Sequence, residues 1–199
     1  MPGHFEAVPG GGAAVALDEV EIAILRSLAV QMVELIGPGD EPVEGEDPLA
    51  ALFAEGPSKP PADPALARLF PDGYTGPESD AADEELKAAS AEFRRFTEND
   101  LRTRKREDAL SVIRDLDALT VNGEGEAVLK LTADDCRRWL GALNDLRLTI
   151  GTRLEVSDDE DDEGSGLYRL PDSDPRKPMV MAYLWLGVLQ ETLIETLMP

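Results

Sequence analysis

The sequence predicts a mainly α (α+β) fold, a helical single domain over residues 1–199 with a small two- or three-stranded antiparallel β-sheet. Three observations predict it. Apolar residues recur at three- and four-residue intervals over several long stretches. Two short apolar runs flank a Pro-Gly-Gly-Gly turn near the start. With 199 residues, 42% of them hydrophobic, the chain can bury one core and is too short to assume two.

The elements follow in order. FEAV (Phe5 to Val8) and AAVAL (Ala13 to Leu17) read as a hairpin, because the intervening glycines can take positive φ. Asp18 is an N-cap, and Val20, Ile24, Leu28, Met32 and Leu35 follow at helical spacing until Gly37-Pro38 stops the pattern. Residues 37–83 hold nine of the fifteen prolines and read as a largely irregular insert. Within it, DPLAALF (Asp47 to Phe53) and DPALARLF (Asp63 to Phe70) each pair an Asp cap with Pro at the first helical position, so both predict single helical turns that dock.

From Asp83 to about Leu119, Leu86, Phe93, Phe96, Leu101, Leu110, Ile113 and Leu116 predict one long helix, or two with a break near Thr97 to Asp100. NGEGE (Asn122 to Glu126) is a turn, and AVLKL (Ala127 to Leu131) a strand that can join the hairpin, which alone is marginal. Thr132 caps a helix to about Arg153, with Asp135 in the place of the usual capping-box Glu. The run SDDEDDEGSG, residues 157–166, reads as a mobile acidic loop, and a last helix runs from Lys177-Pro178 to Met198.

Forty-one acidic against nineteen basic residues give a net charge of −22, which disfavours nucleic acid and anionic membranes and favours basic protein partners. The N-terminal residues lack the pattern of a secretory signal, and Met179 to Leu189, read as a buried helix, falls well short of the roughly 20 apolar residues that span a bilayer. A cytoplasmic protein without a membrane anchor is expected. A single histidine, His4, leaves little for histidine-based triads or common zinc sites, and the acidic run lacks the glycine and closing Glu of an EF-hand. Neither a catalytic function nor a cofactor or metal is expected.

Three places carry candidate function. In CRRWLGALNDLRLTIGTRLEV (Cys136 to Val156), Trp139, Leu143, Leu146, Ile150 and Leu154 form one apolar face. Asn144, Asp145, Arg147 and Arg153 stand beside it, either as ordinary solvated positions or as a polar network at a helix junction or partner surface. Gly141 and Gly151 each cost roughly 1 kcal/mol inside a helix, so close backbone approach or a helix end is the expected compensation. The second place is a basic stripe. Seven of the nineteen basic residues fall between Arg94 and Arg114, with Arg102, Arg104, Lys105 and Arg106 at its centre, although interleaved acids such as Glu98 can neutralise them. The third is Cys136, the one cysteine, placed in a helical first turn where the dipole and Arg137 and Arg138 oppose Asp134 and Asp135.

WLGALNDLRLTIGTRLEV, with EFRRFTENDLR (Glu92 to Arg102) and the opening FEAVPGGG, resembles the actinobacterial AosR-like family of oxidative-stress regulators, formerly of unknown function. The pattern WLxALNDLRLxxGTRL is its specific part. The resemblance implies a cytoplasmic transcriptional regulator that senses oxidants through a Cys-x-x-x-Cys disulfide and cooperates with a sigma factor. Here Thr132 and Leu140 stand four residues either side of Cys136, so that switch does not carry over.

Two functions of different class follow. The first is a regulator of stress transcription acting through protein contacts with a sigma factor or RNA polymerase, at promoter DNA or away from it. The second is a non-enzymatic adaptor without promoter activity, whose docking surface is Asn144, Asp145, Arg147 and Arg153 with the two Asp-Pro turns. The residues alone point to the adaptor; the resemblance points to the regulator.

Overall fold

The computed structural model describes residues 3–37, 56–74, 84–121, 125–156 and 170–198. The expectations for residues 47–53, for the acidic loop 157–166 and for most of the NGEGE turn lie outside them.

The sheet is three-stranded and antiparallel, with β1 (Glu6–Ala7), β2 (Ala13–Asp18) and β3 (Glu126–Leu131) side by side in that order. Its register sets Glu6 opposite Ala14 and Ala13 opposite Leu131. The two-residue period aims Ala13, Val15 and Leu17 of β2 and Ala127, Leu129 and Leu131 of β3 into the core. At the hairpin turn Gly12 has a φ of 104°, and a Cβ there would stand 2.2 Å from the Leu131 carbonyl oxygen. Only glycine lets the chain pass the end of β3 so closely.

Asp18 opens α1 (Glu19–Ile36) with a full capping box: its side chain accepts from the Glu21 amide at 2.7 Å, and Glu21 accepts from the Asp18 amide at 3.0 Å. The core side of α1 is Leu25, Ala29, Met32 and Ile36. Of the expected stripe Val20, Ile24, Leu28, Met32 and Leu35, Met32 belongs to this buried side; the other four form a second stripe, on which Val20 and Ile24 are exposed. Gly37 ends the helix at a φ of 86°, as the stop pattern predicts.

The second Asp-Pro turn is α2 (Pro64–Leu69), inside the stretch read as irregular. Asp63 caps it, accepting from the Ala65 and Leu66 amides, and Ala65, Leu69 and Phe70 are buried. The long helix is α3 (Glu84–Asp117), unbroken through Thr97 to Asp100. Its C-terminal half buries Ala109, Val112 and Leu116, but its N-terminal half turns Ser90, Arg94 and Glu98 inward and leaves Phe93 and Phe96 exposed. There the apolar period marks the outer side.

Thr132 and Asp135 complete the capping box of α4 (Ala133–Arg153), with both reciprocal bonds made. The predicted face is the core face: Trp139, Leu143, Leu146, Ile150 and Leu154 are all buried, and the Trp139 indole donates to Asp115 at 2.7 Å. The C-terminus closes in a Schellman arrangement, in which the Val156 amide donates to the Gly151 carbonyl at 2.9 Å and Glu155 takes a φ of 56°. The last helix, α5 (Lys177–Leu197), packs along α4 and buries Val180, Leu186, Leu189 and Leu193. It is buried on one side and not throughout, since Met179, Met181 and Val188 face outward.

Two substitutions test these backbone assignments. Glu155→Gly removes a left-handed non-glycine residue and is expected to raise stability by about 0.5–1 kcal/mol. Gly12→Ala is expected to lower it by more than about 1 kcal/mol, because strain and a backbone clash coincide. Urea midpoints of the two variants should move in opposite directions.

Candidate functional site

Three of the four candidate polar residues of α4 connect, Arg147 through Gln190 to Asn144 and Asn144 to Asp145, while Arg153 stands apart. Arg147 donates to the Gln190 side chain of α5 at 2.6 Å and lies over the Tyr183 ring, while Gln190 reaches Asn144 at 3.4 Å. Asp145, 2% exposed, receives the Lys105 ammonium of α3 at 2.6 Å. Arg153, at the exposed end, donates to Asp63 beside α2 at 3.0 Å. The glycines allow the approach: a Cβ on Gly141 would stand 3.0 Å from the Asp108 carboxylate and one on Gly151 3.2 Å from the Tyr183 ring.

Most of the basic stripe is spent inside the fold. Arg102 grips Glu98, donates to the Ile36 carbonyl at 2.8 Å and stacks over Phe70. Lys105 is the partner of Asp145, and Arg106 donates to the Gly37 carbonyl at 3.2 Å. Arg104 is the exposed member. Deeper in, Glu98 sits between Arg94 and Arg102, and Arg94 also donates to the Phe70 carbonyl and to Asp72. Burial works against the charge on Arg94, but Asp72 and Glu98 hold its pKa above the usual value.

Cys136 is fully buried, and burial pushes its thiol up, with Asp135 adding to the shift while amides and Arg137 oppose it. A protonated, enclosed thiol is a weak nucleophile.

The surface feature that no residue motif announced is a groove of about 1390 Å³ bounded by α1, α4 and α5. Leu146 and Ile150 of α4 lie at its base, the outer stripe of α1 (Ile24, Leu28, Leu35) forms one wall, and Met181, Trp185 and Val188 of α5 form the other. A signal for it existed. A helix apolar on nearly all sides, as Met179 to Leu189 is, needs cover on more than one side.

A family model described as a domain of unknown function, DUF2017, matches residues 2–197. The chain is 40% identical over 83 residues to the oxidative stress regulator AosR of Mycobacterium tuberculosis strain H37Rv, a match covering 42% of this chain and 34% of that protein. The AosR of Mycobacterium bovis gives the same figures. The putative oxidative stress regulator AosR of Mycobacterium leprae is 30% identical over 184 residues, 89% of this chain and 79% of that protein. No solved structure matches the chain. Among the described residues no helix is long and apolar enough to cross a membrane.

Glu98→Ala would leave Arg94, itself 4% exposed, without its buried carboxylate, and is expected to cost about 3–5 kcal/mol. Glu92→Ala, which breaks an exposed pair with Arg95, should cost less than about 1 kcal/mol in the same urea titration.

Asp145 generates a pH prediction. Burial raises its carboxyl pKa above the ordinary value, against the lowering effect of Lys105, Asn144 and Arg104. A carboxyl raised on folding binds protons more tightly in the folded chain, so its contribution to stability is largest at low pH and is lost as pH rises through the folded value. Relative to Asp145→Asn, the wild-type chain is therefore expected to gain stability on acidification through the weakly acidic range. Parallel stability-against-pH curves for the two proteins would refute the raised carboxyl.

Proposed function

The chain belongs to the DUF2017 family, and we propose that it is a transcriptional regulator of an oxidative-stress response, acting in the cytoplasm through a protein contact. A sigma factor or RNA polymerase is the proposed partner, and promoter DNA is reached through that partner. It is read as non-enzymatic. The observation that carries the protein contact is the open apolar groove, taken with a basic stripe whose Arg102, Lys105 and Arg106 are bonded inside the fold. Concave apolar surface of this extent suits a protein partner, whereas a net charge of −22 opposes direct contact with phosphates.

Support for the stress response comes from kinship with the mycobacterial regulators. In this reading an oxidant signal does not pass through a disulfide within the chain, because Cys136 has no second cysteine. The second reading, an adaptor without promoter activity, is favoured by the groove's indifference to what kind of protein carries the matching surface.

A tagged pull-down from native lysate, with and without peroxide and with Cys136→Ser alongside, separates the two. Recovery of a sigma factor or polymerase, with a change in run-off transcription on adding the purified chain, is the expected result. Recovery of other proteins alone would favour the adaptor. Arg104→Glu is expected to leave any promoter retention unchanged, and a loss of more than about tenfold with a steep salt dependence would restore direct DNA contact.

A further inference from the structure

Helix α1 carries two apolar stripes, and among the described residues the fold covers one. The uncovered stripe and the outer side of α5 face the same groove, where Ile24 is 40% exposed, Met179 44%, Met181 55% and Val188 42%. The lining of α1 runs from Glu21 to Leu35, about 21 Å at 1.5 Å per residue, the length of about four helical turns. Its walls are helices whose backbone groups are bonded within themselves, so the groove offers no edge on which an extended strand could pair. What fits is a rod with an apolar side.

We propose that this groove receives one amphipathic helix of a basic protein partner, with apolar residues inward and Lys or Arg along its flanks. The charged residues of the lining are Glu21, Glu34 and Arg153, and Arg153 is bonded to Asp63 at 3.0 Å. Glu21 is bonded through its two oxygens to the neutral Gly3 and Asp18 amides and Glu34 is exposed, so the lining carries excess negative charge with Glu34 as the carboxylate turned to whatever enters, on a chain of net charge −22. A second copy of this chain would bring another −22 and the same carboxylates into contact, whereas a helix with basic flanks would meet opposite charge. Met32, Met179 and Met181 give the lining unbranched, adaptable side chains of the kind that receive helices of differing shape. The proposal rests on the reading of action through a protein contact and adds the place and the chemistry of that contact.

The test is selection of a displayed library of helical peptides, about 16 residues long, against the immobilised full chain at physiological salt. The expected winners carry apolar residues at i, i+3 or i+4, and i+7, with Lys or Arg beside them. Synthesised winners should change Trp185 emission and lose at least tenfold in affinity against Ile24→Glu and against Met181→Glu. These residues lie on opposite walls and are already exposed, and unchanged urea midpoints would show that both variants fold. Glu34→Lys should weaken basic winners several-fold. The proposal is overturned if no peptide is enriched, if the winners have neutral or acidic flanks, or if binding ignores the wall variants. Sedimentation of the free chain as a dimer that Met181→Glu dissociates would overturn it in favour of a second copy. No transcription protein takes part in the selection, so the groove can pass where the regulator reading fails. Conversely, a pull-down that recovers polymerase equally with Met181→Glu would sink the groove alone.

Discussion

A buried carboxylate held between two guanidinium groups governs the arrangement of this fold. Glu98 receives Arg94 from one turn before it and Arg102 from one turn after, and each arginine also donates to another part of the chain. Arg94 takes the Phe70 carbonyl and Asp72; Arg102 takes the Ile36 carbonyl at the end of α1. Removing a charge from such a centre strands its partners away from water, so the three segments are held to one geometry. One of them is α1, a wall of the groove. The position of that wall thus traces back to a carboxylate on another helix.

The second organising element is α4, and its sequence reads as a packing code. In WLGALNDLRLTIGTRL the apolar letters at Trp139, Leu143, Leu146 and Ile150 fill the core. The polar letters are ties: Asn144 and Arg147 to α5, Asp145 to α3, Arg153 to the segment that carries α2. The glycines are places where Asp108 and Tyr183 come too close for a Cβ to sit comfortably. Every unusual letter has a structural partner. The motif that looked most like a functional site is therefore what holds the helices around the groove, while the groove itself is lined largely by residues without distinctive chemistry.

The legibility of the sequence divided along physical lines. Local features were readable: the Asp18 and Thr132 caps, the Gly37 stop, the strand alternation and the core face of α4 depend on neighbours a few residues apart. The inward face of α3 was not. Ser90, Arg94 and Glu98 are buried because residues 56–74, distant in sequence, lie against them, and periodicity pointed instead at Phe93 and Phe96. The groove was half readable. The stripe Val20, Ile24, Leu28, Met32, Leu35 was visible, but periodicity does not distinguish the members that the described residues cover, such as Met32, from those they leave bare. For the polar stripe and the basic stripe, the partner each residue finds depends on helices distant in sequence, as Lys105 of α3 with Asp145 and Gln190 of α5 with Arg147 illustrate.

The acidity of the chain acquires a different meaning beside that groove. Two helices with bare methionine and isoleucine side chains present a surface to which any similar surface would adhere, and a concentrated solution contains many copies. Mutual repulsion of molecules that each carry −22 opposes that adhesion at long range, before the apolar walls can meet. The charge thereby acts as a colloidal stabiliser, opposing the meeting of two such clefts. Conditions that shorten the reach of this repulsion, such as concentrated salt, or that neutralise carboxylates, remove the barrier without altering the fold.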